Sequence, residues 1–427
     1  MKVAPIFNGR HTIIMYETMK KFILLGITSL LAACSGRQSV TVTVSNPIGI
    51  DRTEEMIEIS ADYVFTTLNI GEMSEIVIYD NKAAEIPYQL THDNKIVFPV
   101  SVDSCGTSTY TIQEGVPSII NTIVSGKQYP ERLDDIAWEN DKSGYRLYGP
   151  ALFNTGNELY GYDIFTKNIP GLVLEERYGR ELDPNIRLQL KELNDAGKKD
   201  EADSLYNWMS YHVNHGDGMD AYDVGPTLGA GAAALMTDSV NMVYPKSYDT
   251  FEILDNGPLR FSMKLTYLPR VVNEDSCVVE TRYIQLDRGS YLNKTTVRFD
   301  GLTKSTPLAA GSVIHSQNPE GYEYSADEGY IAYCDSTNNP SAGHGVVYVG
   351  LVFPKRLSYV KPVMFDKPAG SALGHVLGVS EYNPEESFVY YWGSGWSFAG
   401  LPELSDWTRE MVIKAAQVRA PLIVDIK

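Results

Sequence analysis

The sequence predicts a mainly β protein, a large antiparallel multi-sheet sandwich with one helical insertion. The first observation is that alternating apolar and polar runs recur from residue 39 onward, separated by Asn, Asp, Gly and Pro. The second is that 43% of the 427 residues are hydrophobic, which is enough for a large core. The third is that no repeat of fixed period is present, which argues against a propeller or a solenoid.

The first 38 residues read as an export signal and a tether. Residues 19–34, MKKFILLGITSLLAAC, contain two lysines, a short apolar run and small residues before a cysteine, which is the order of a signal peptide. The ending LAAC resembles a bacterial lipobox, and this resemblance implies lipidation of Cys34. We therefore expect a lipoprotein signal over residues 1–33, a lipidated tether over residues 34–38, and a lipoprotein anchored to the membrane through Cys34 and facing the periplasm.

The strand pattern predicts two portions after the tether. Residues 39–115 contain short runs typical of strands, including MIEISADYV at residues 56–64, and are predicted to form an N-terminal β-sandwich portion. Residues 116–427 are predicted to form the large sandwich, because their strands are longer and continue to a final APLIVDI. We expect the functional site in this second portion.

The one convincing helical pattern lies near residues 183–208. Asp183 suits an N-cap and Pro184 suits the first helical position. Gly197 and the charged residues after it interrupt the pattern, so two short helices are predicted as an alternative to one. A further helix is predicted over residues 407–418.

The overall charge excludes some partners. The formal net charge is −18 at pH 7, which argues against nucleic acid and against an anionic membrane surface, so that contact with a membrane is expected through the lipid alone. The sequence also lacks a phosphate-binding loop, a dinucleotide fingerprint and a serine-hydrolase elbow. An acidic substrate would therefore need a local basic site.

The stretch over residues 208–236, WMSYHVNHGDGMDAYDVGPTLGAGAAALM, concentrates titratable groups among glycines. A histidine whose tautomer is fixed by an aspartate is suited to general acid or base chemistry, so His212 or His215 is predicted to move a proton. The same residues allow a divalent metal held by His212, His215 and Asp217, although no HExxH signature is present and no cofactor is predicted. A polar loop before a small-residue strand is the structural alternative.

Four further motifs carry polar or aromatic groups. Each has a structural alternative, namely a salt-bridged loop, a strand end, a buried histidine and an aromatic core. The motifs are PERLDDIAWEND at residues 130–141 with Arg132 and Trp138, YGPALFN at residues 148–154 with Tyr148, AAGSVIHSQ at residues 309–317 with His315, and YYWGSGW at residues 390–396 with Tyr391, Trp392 and Trp396.

Taken in order, these five motifs resemble a family catalogued as a domain of unknown function in exported lipoproteins of the Bacteroidetes type, encoded beside polysaccharide-degrading enzymes. The resemblance covers nearly all of the chain after the signal. It implies an antiparallel β-supersandwich of the galactose-mutarotase-like kind, a fold shared with several polysaccharide lyases. It also implies carbohydrate processing, and some relatives are associated with elimination chemistry on uronate-ended oligosaccharides.

Elimination at a uronate requires a group that neutralises the carboxylate, a base for the C5 proton and an acid for the departing oxygen. The resemblance then suggests Arg132 and Asn140 for the first role, and the leaving group can be water or a sugar. His215 is favoured as the base, with His212 or Tyr222 as the alternative. The candidate acids are Tyr148, Tyr391 and His315. The other candidates for contact with an acidic oligosaccharide are Trp138, Glu139, Tyr391, Trp392 and Trp396.

Two other functions stay open. A mutarotase or epimerase would move a proton at the anomeric carbon, with His315 paired to Glu328 or Asp217. A non-catalytic glycan-binding lipoprotein would use the aromatic motifs alone, and it would not need a titrating histidine. The oligomeric state is not predicted.

Overall fold

The structure is a computed structural model that describes residues 38–72 and 74–427, so the predicted signal and Cys34 lie outside the described residues. The described chain is mainly β and all its sheets are antiparallel, which confirms the predicted fold class. Within the same residues, no helix has the length and apolarity needed to cross a bilayer.

The strands are β1 (Ser39–Ser45), β2 (Arg52–Ser60), β3 (Ile76–Tyr79), β4 (Glu85–Ile86), β5 (Gln89–Leu90), β6 (Lys95–Val102), β7 (Thr107–Glu114), β8 (Ser125–Tyr129), β9 (Asp135–Glu139), β10 (Gly144–Leu147), β11 (Tyr162–Phe165), β12 (Ala233–Met236), β13 (Met242–Val243), β14 (Tyr248–Gly257), β15 (Arg260–Tyr267), β16 (Arg270–Val272), β17 (Asp275–Asp287), β18 (Leu292–Asp300), β19 (Thr306–His315), β20 (Tyr322–Ser325), β21 (Tyr330–Ser336), β22 (Val346–Val352), β23 (Tyr359–Ala369), β24 (Ala372–Tyr382), β25 (Phe388–Trp396) and β26 (Ile423–Ile426). The helices are α1 (Ala61–Leu68), α2 (Pro150–Phe153), α3 (Leu174–Leu182), α4 (Pro184–Asp195), α5 (Lys199–Met209) and α6 (Leu404–Arg419).

The N-terminal unit is a small sandwich of two sheets around its own apolar core. One sheet has the order β26-β1-β7-β3-β4 and the other has the order β2-β6-β5. The strand β26 was expected in the large sandwich, but it pairs with β1 instead. Its half-buried Val424 and Ile426 pack on the core of the small sandwich, which gives this strand its apolar contact.

Residues 56–64 do not form the single strand that their sequence suggested. The strand β2 ends at Ser60, whose hydroxyl oxygen accepts a hydrogen bond from the backbone N–H of Tyr63 at 3.2 Å. Ser60 therefore caps α1, whose buried residues Val64 and Leu68 follow a helical spacing rather than an alternating one.

The large unit is a sandwich of a nine-stranded and a five-stranded sheet. The first runs β14-β15-β17-β18-β25-β22-β21-β20 with β16 paired to β17, and the second runs β13-β12-β19-β24-β23. Side chains from both sheets, such as Val297, Val349, Leu308 and Val376, belong to one continuous core. The two inner faces therefore meet as expected for stacked antiparallel sheets.

A four-stranded sheet of order β11-β10-β9-β8 positions the candidate site. Because side chains alternate between the faces of a strand, this sheet has two different surfaces. One surface carries Ile136, Tyr145 and Ile164 into the large core. The other carries Arg146 and Asp163, which are also buried.

Helices cover this second, charged surface. Asp183 caps α4 as predicted, because its side chain accepts from the backbone N–H groups of Asn185 and Ile186 at 2.8 and 3.2 Å. The predicted helical region is two helices, α4 and α5, and α3 precedes them without having been predicted. Tyr178 on α3 and Phe165 on β11 belong to one small core cluster, which fixes the helices to the sheet.

Candidate functional site

A buried ion cluster centred on Arg146 lies between the four-stranded sheet and the helices. Arg146 and Asp163 face each other across β10 and β11, and the Arg146 Nε–H donates to Asp163 Oδ2 at 2.9 Å. The Arg146 Nη2 donates to Asp220 Oδ2 at 2.7 Å. All three side chains are at most 3% exposed, so the guanidinium is held between two carboxylates away from solvent.

Two tyrosines complete the hydrogen bonding of this cluster. The Tyr148 hydroxyl donates to Asp163 and accepts from Arg146 Nη2 at 2.9 Å. The Tyr211 hydroxyl accepts from Arg146 Nη1 at 3.3 Å and from Arg132 Nε at 3.2 Å. The cluster is therefore linked to Arg132, whose side chain is 26% exposed.

His212 reaches the same cluster from its solvent side. Its Nδ1 lies 3.3 Å from the backbone oxygen of Asp220 and 3.5 Å from Asp220 Oδ2. Its side chain is 45% exposed, and its Nε2 forms no hydrogen bond with a described residue. We call Arg132, Tyr148 and His212 the rim of the cluster, because each contacts one of the buried charged or tyrosine side chains and none of the three is fully buried.

Burial controls the titration of the buried acids. Burial raises the pKa of Asp135 to about 6, although Arg146 and Arg132 act in the opposite direction. Neither Asp135 carboxylate oxygen has a hydrogen-bond partner among the described residues, and Arg132 Nη1 is 3.9 Å away. Burial also raises the pKa of Asp163 to about 6. Burial opposes the charge of Arg146, but Asp163 and Asp220 hold its pKa well above the usual value.

A second proton-handling pair lies at the end of β19. His315 is 4% exposed, and its Nδ1 lies 2.7 Å from Asp335 Oδ2. Burial lowers the pKa of His315, but the hydrogen bond to Asp335 outweighs this and raises it. The His315 Nε2 and the Tyr222 hydroxyl have no described partner, and the two rings lie 5.8 Å apart. Since Asp220 belongs to the Arg146 cluster, the short stretch from Asp220 to Tyr222 connects the two.

His215, the favoured base, does not join either cluster. It is exposed, and its Nε2 lies 3.1 Å from the backbone oxygen of Ser210. The Asp217 side chain contacts Arg177, with 3.4 Å between Asp217 Oδ1 and Arg177 Nη2. Among residues 38–72 and 74–427, no three His, Cys, Asp or Glu side chains are grouped to hold a metal ion. The alternative metal site of His212, His215 and Asp217 is therefore not formed.

The predicted tryptophan platform is part of the core. Trp138, Trp392 and Trp396 are at most 2% exposed, and each indole N–H is already donated, to Asn293, Thr295 and the His344 backbone oxygen respectively, at 2.8 Å. The Trp138 and Trp392 rings pack edge to face with 6.3 Å between centroids. Since these side chains face the sheet interior, they do not contact a ligand at the surface.

Glu139 and Asn140 also have structural partners in place of the predicted substrate contact. Glu139 accepts from Lys167 Nζ at 2.6 Å and from the backbone N–H of Leu174 at 2.7 Å, so it fixes the start of α3. Asn140 donates to the backbone oxygens of Asp287 and Ser290, both at 2.7 Å. The other predicted contact, Tyr391, lines a separate cleft.

Arg146, Asp163 and Asp335 are the site residues that the sequence interpretation missed. Arg146 stands between Tyr145 and Leu147, and Asp163 stands between Tyr162 and Ile164. A charge inside a short apolar strand is a signal for a paired buried ion, because a lone buried charge is too costly. That signal was available in the sequence.

A family model described as Domain of unknown function (DUF4861) matches residues 44–424. The chain belongs to this family. The DUF4861 chain is also 24% identical over 442 residues to Uncharacterized protein P7 of Formosa agariphila, and the alignment covers 98% of the chain and 100% of that relative.

Two solved structures are also similar to the DUF4861 chain. One is an alpha-mannosidase from Enterococcus faecalis V583, with a TM-score of 0.45, 9% identity and coverage of 91% of this chain and 46% of that one. The other is a protein in the Glycosyl Hydrolase Family 38 from Enterococcus faecalis, with a TM-score of 0.44, 8% identity and coverage of 92% and 48%. The DUF4861 chain spans about half the length of each of these two chains.

Proposed function

We propose that this protein catalyses β-elimination on uronate-ended oligosaccharides at the rim formed by Arg132, Tyr148 and His212. The observation that carries the proposal is the meeting of these three side chains on one buried cluster, although they come from three separate motifs. A guanidinium, a phenol and an imidazole are the three kinds of group that the reaction requires.

Each rim residue has a role that follows from its contacts. Arg132 is partly exposed and can pair with the uronate carboxylate, which makes the C5 proton more acidic. Asp220 orients His212 through Nδ1, so that Nε2 is directed away from the cluster and takes the C5 proton. The electrons of that C–H bond form the C4–C5 double bond, and the bond from C4 to its oxygen breaks.

Tyr148 is the proposed acid for the departing oxygen. Its hydroxyl proton, which is donated to Asp163 in this structure, turns to the departing oxygen when substrate is bound, and that oxygen leaves as a sugar hydroxyl or as water. Burial, together with the charges of Asp163 and Asp220, raises the pKa of Tyr148 well above its usual value, whereas the Arg146 charge lowers it. Arg146 thus stabilises the phenolate until the proton removed by His212 returns through solvent to Tyr148.

The test compares two histidines of the same loop. Purified protein is mixed with uronate-ended oligosaccharides, and the new double bond is followed by ultraviolet absorbance. We expect His212→Asn to lower kcat by about 100-fold or more, as for loss of a general base, and His215→Asn to leave it nearly unchanged. Equal activity of wild type and His212→Asn, or no absorbance change across a panel of uronic acids, would contradict the proposal.

A second candidate is supported by the His315–Asp335 pair. In a mutarotase or epimerase, this pair would move a proton at the anomeric carbon, with Asp335 in the role expected of Glu328 or Asp217. NMR exchange between anomers without a change of mass, lost in His315→Asn and kept in His212→Asn, would support this function over elimination. Glycan binding without any product would instead favour the non-catalytic alternative.

We also propose that the protein is a lipoprotein that faces the periplasm and acts on imported oligosaccharides. The support is the sequence of residues 19–34 alone. Labelling with a fatty acid in bacterial cells should mark the wild type and not Cys34→Ser, and equal labelling of both would remove Cys34 as the lipid attachment site.

A further inference from the structure

A cleft of about 520 Å³ lies where the N-terminal unit meets the large sandwich. Its walls come from β2, from β15, β17, β18 and β25, and from α6. None of the rim residues lines it. The cleft is therefore a different place from the candidate elimination site.

Most acidic groups of the cleft are already neutralised. Arg260 donates through Nη1 to Glu58 at 2.6 Å, and through Nε and Nη2 to Asp287 at 2.6 and 2.9 Å. Glu55 accepts from the buried Arg52 at 2.7 Å. Lys95 also binds Glu58, so three carboxylates are paired with three cations, and the remaining carboxylates of the lining are Glu54 and Glu410.

Lys294, Lys414 and Arg288 are the cations of the lining that remain. None of the three forms a salt bridge with a residue in the described part of the chain, although all of them line the cleft. Lys294 lies directly opposite Tyr391 across β18 and β25, and the Lys414 Nζ lies 5.4 Å from the centre of the Tyr391 ring. Two lysines thus neighbour one tyrosine in a chain whose net charge is −18.

No carboxylate of the described residues lies within salt-bridge distance of either ammonium group, that of Lys294 or that of Lys414. Burial lowers the pKa of Lys414, and the positive charges of Arg52 and Lys294 act in the same direction, whereas the more distant Glu55 and Asp287 raise it. An anion placed between the two would relieve both effects. The surrounding wall also offers hydrogen-bonding side chains, namely Gln285, Ser290 and Gln417. Such a polar lining fits a ligand rich in hydroxyl groups better than an apolar one.

We propose that this cleft is a second, non-catalytic binding site for an acidic saccharide. Lys294 and Lys414 bind its carboxylate, and Tyr391 contacts the sugar ring. The amide and hydroxyl side chains of the wall bind the sugar hydroxyls. This site is independent of the elimination chemistry, since it shares no residue with the rim.

The test measures binding of digalacturonate by isothermal titration calorimetry. The protein carries Arg132→Gln, so that binding at the rim is weakened and the cleft is observed alone. We expect Lys294→Gln and Lys414→Gln each to weaken binding about tenfold or more, because each removes a charged hydrogen bond. Lys199→Gln, at an exposed position on α5, is the matched control and should bind like its parent.

Three results would overturn this assignment. One is unchanged affinity in both cleft variants, and another is equal affinity for the neutral disaccharide cellobiose. The third is sulfate binding as tight as that of digalacturonate, which would mean that the cleft recognises an anion without its sugar. If Lys414→Gln does not fold, the affinity of Lys294→Gln tests the assignment instead. Lys414→Arg keeps the charge and should retain binding. If the protein shows no elimination activity, the calorimetric result predicted for the cleft stays the same, because the cleft and the rim share no residue.

Discussion

Asp135 is a buried carboxylate without a hydrogen-bond partner among the described residues. It shares the covered face of the sheet with Ala137 and Arg146, and the rim residue Arg132 is its nearest paired cation, at 3.9 Å. Its ordinary pKa is 3.8, and burial raises the value in the folded protein to about 6. The folded state therefore binds this proton more strongly than the unfolded state does.

The sign of the pH effect follows from that difference. Below pH 3.8 the carboxyl is neutral in both states, and between pH 3.8 and about 6 the unfolded chain loses its proton first. This group therefore lowers the free energy of unfolding as the pH rises through that window, by roughly 2–3 kcal/mol in total. Above pH 6 its effect is constant.

We predict that Asp135→Asn removes this part of the pH dependence. Urea unfolding of wild type and variant at pH 4.5 and pH 8 gives the change in unfolding free energy for each. The decrease in unfolding free energy between pH 4.5 and pH 8 should be smaller in the variant by about 2 kcal/mol. Parallel profiles for the two proteins would show that Asp135 ionises normally.

The glycine run after Tyr222 is the element that brings the site loop back to the sheet. Gly229 forms an isolated bridge with Tyr162 on β11, and a Cβ added at Gly231 would lie 2.6 Å from the Trp392 Cβ. A Cβ added at Gly161 would overlap the backbone of Leu228 and Gly229. This close approach of two backbones fixes the loop that carries Asp220 and Tyr222.

We predict that Gly161→Ala destabilises the protein by about 3 kcal/mol, because neighbouring backbone has to move. Gly171→Ala is the matched control, since an added Cβ there meets no atom of the described residues within 4 Å. Thermal unfolding should show a lower Tm for Gly161→Ala and a nearly unchanged Tm for Gly171→Ala. Equal Tm values would mean that the loop shifts without cost.

The parts of the fold that depend on local sequence were predictable, and those that depend on tertiary packing were not. The alternation of strands and the cap at Asp183 are local features, and both were predicted correctly. The start of α1 after Ser60 was not, because a strand pattern runs into it without a break. His212 is the proposed base in place of His215 because it is the one that faces Asp220, and this is set by the turn of the loop rather than by the residue types. The core location of Trp138 was likewise decided by packing.

The strand β26 connects the large sandwich to the N-terminal unit. This strand follows α6 of the large sandwich and pairs with β1, with Val44 opposite Val424 and Ser45 opposite Ile423. Val424 packs against the core of the small sandwich, whereas Ile423 is 60% exposed. The destination of β26 could not be read from its sequence, because its pattern fits either core.

We predict that Val424→Lys destabilises the N-terminal unit by about 1–2 kcal/mol, because it places a charge against an apolar core. Ile423→Lys, one residue away on the exposed side, should change stability by less than about 0.5 kcal/mol. Limited proteolysis followed by mass spectrometry should show earlier cleavage within residues 39–115 in Val424→Lys only. Identical cleavage of both variants would mean that β26 contributes little to this unit.

The pairing of β1 with β26 has a consequence for the order of events during synthesis. During synthesis β1 is made early, and β26 is made only after the whole large sandwich. The edge of β1 that pairs with β26 therefore stays unpaired while the rest of the chain is made. Open strand edges are sites of mispairing. The N-terminal sheet is thus open to mispairing at β1 until β26 pairs with that edge.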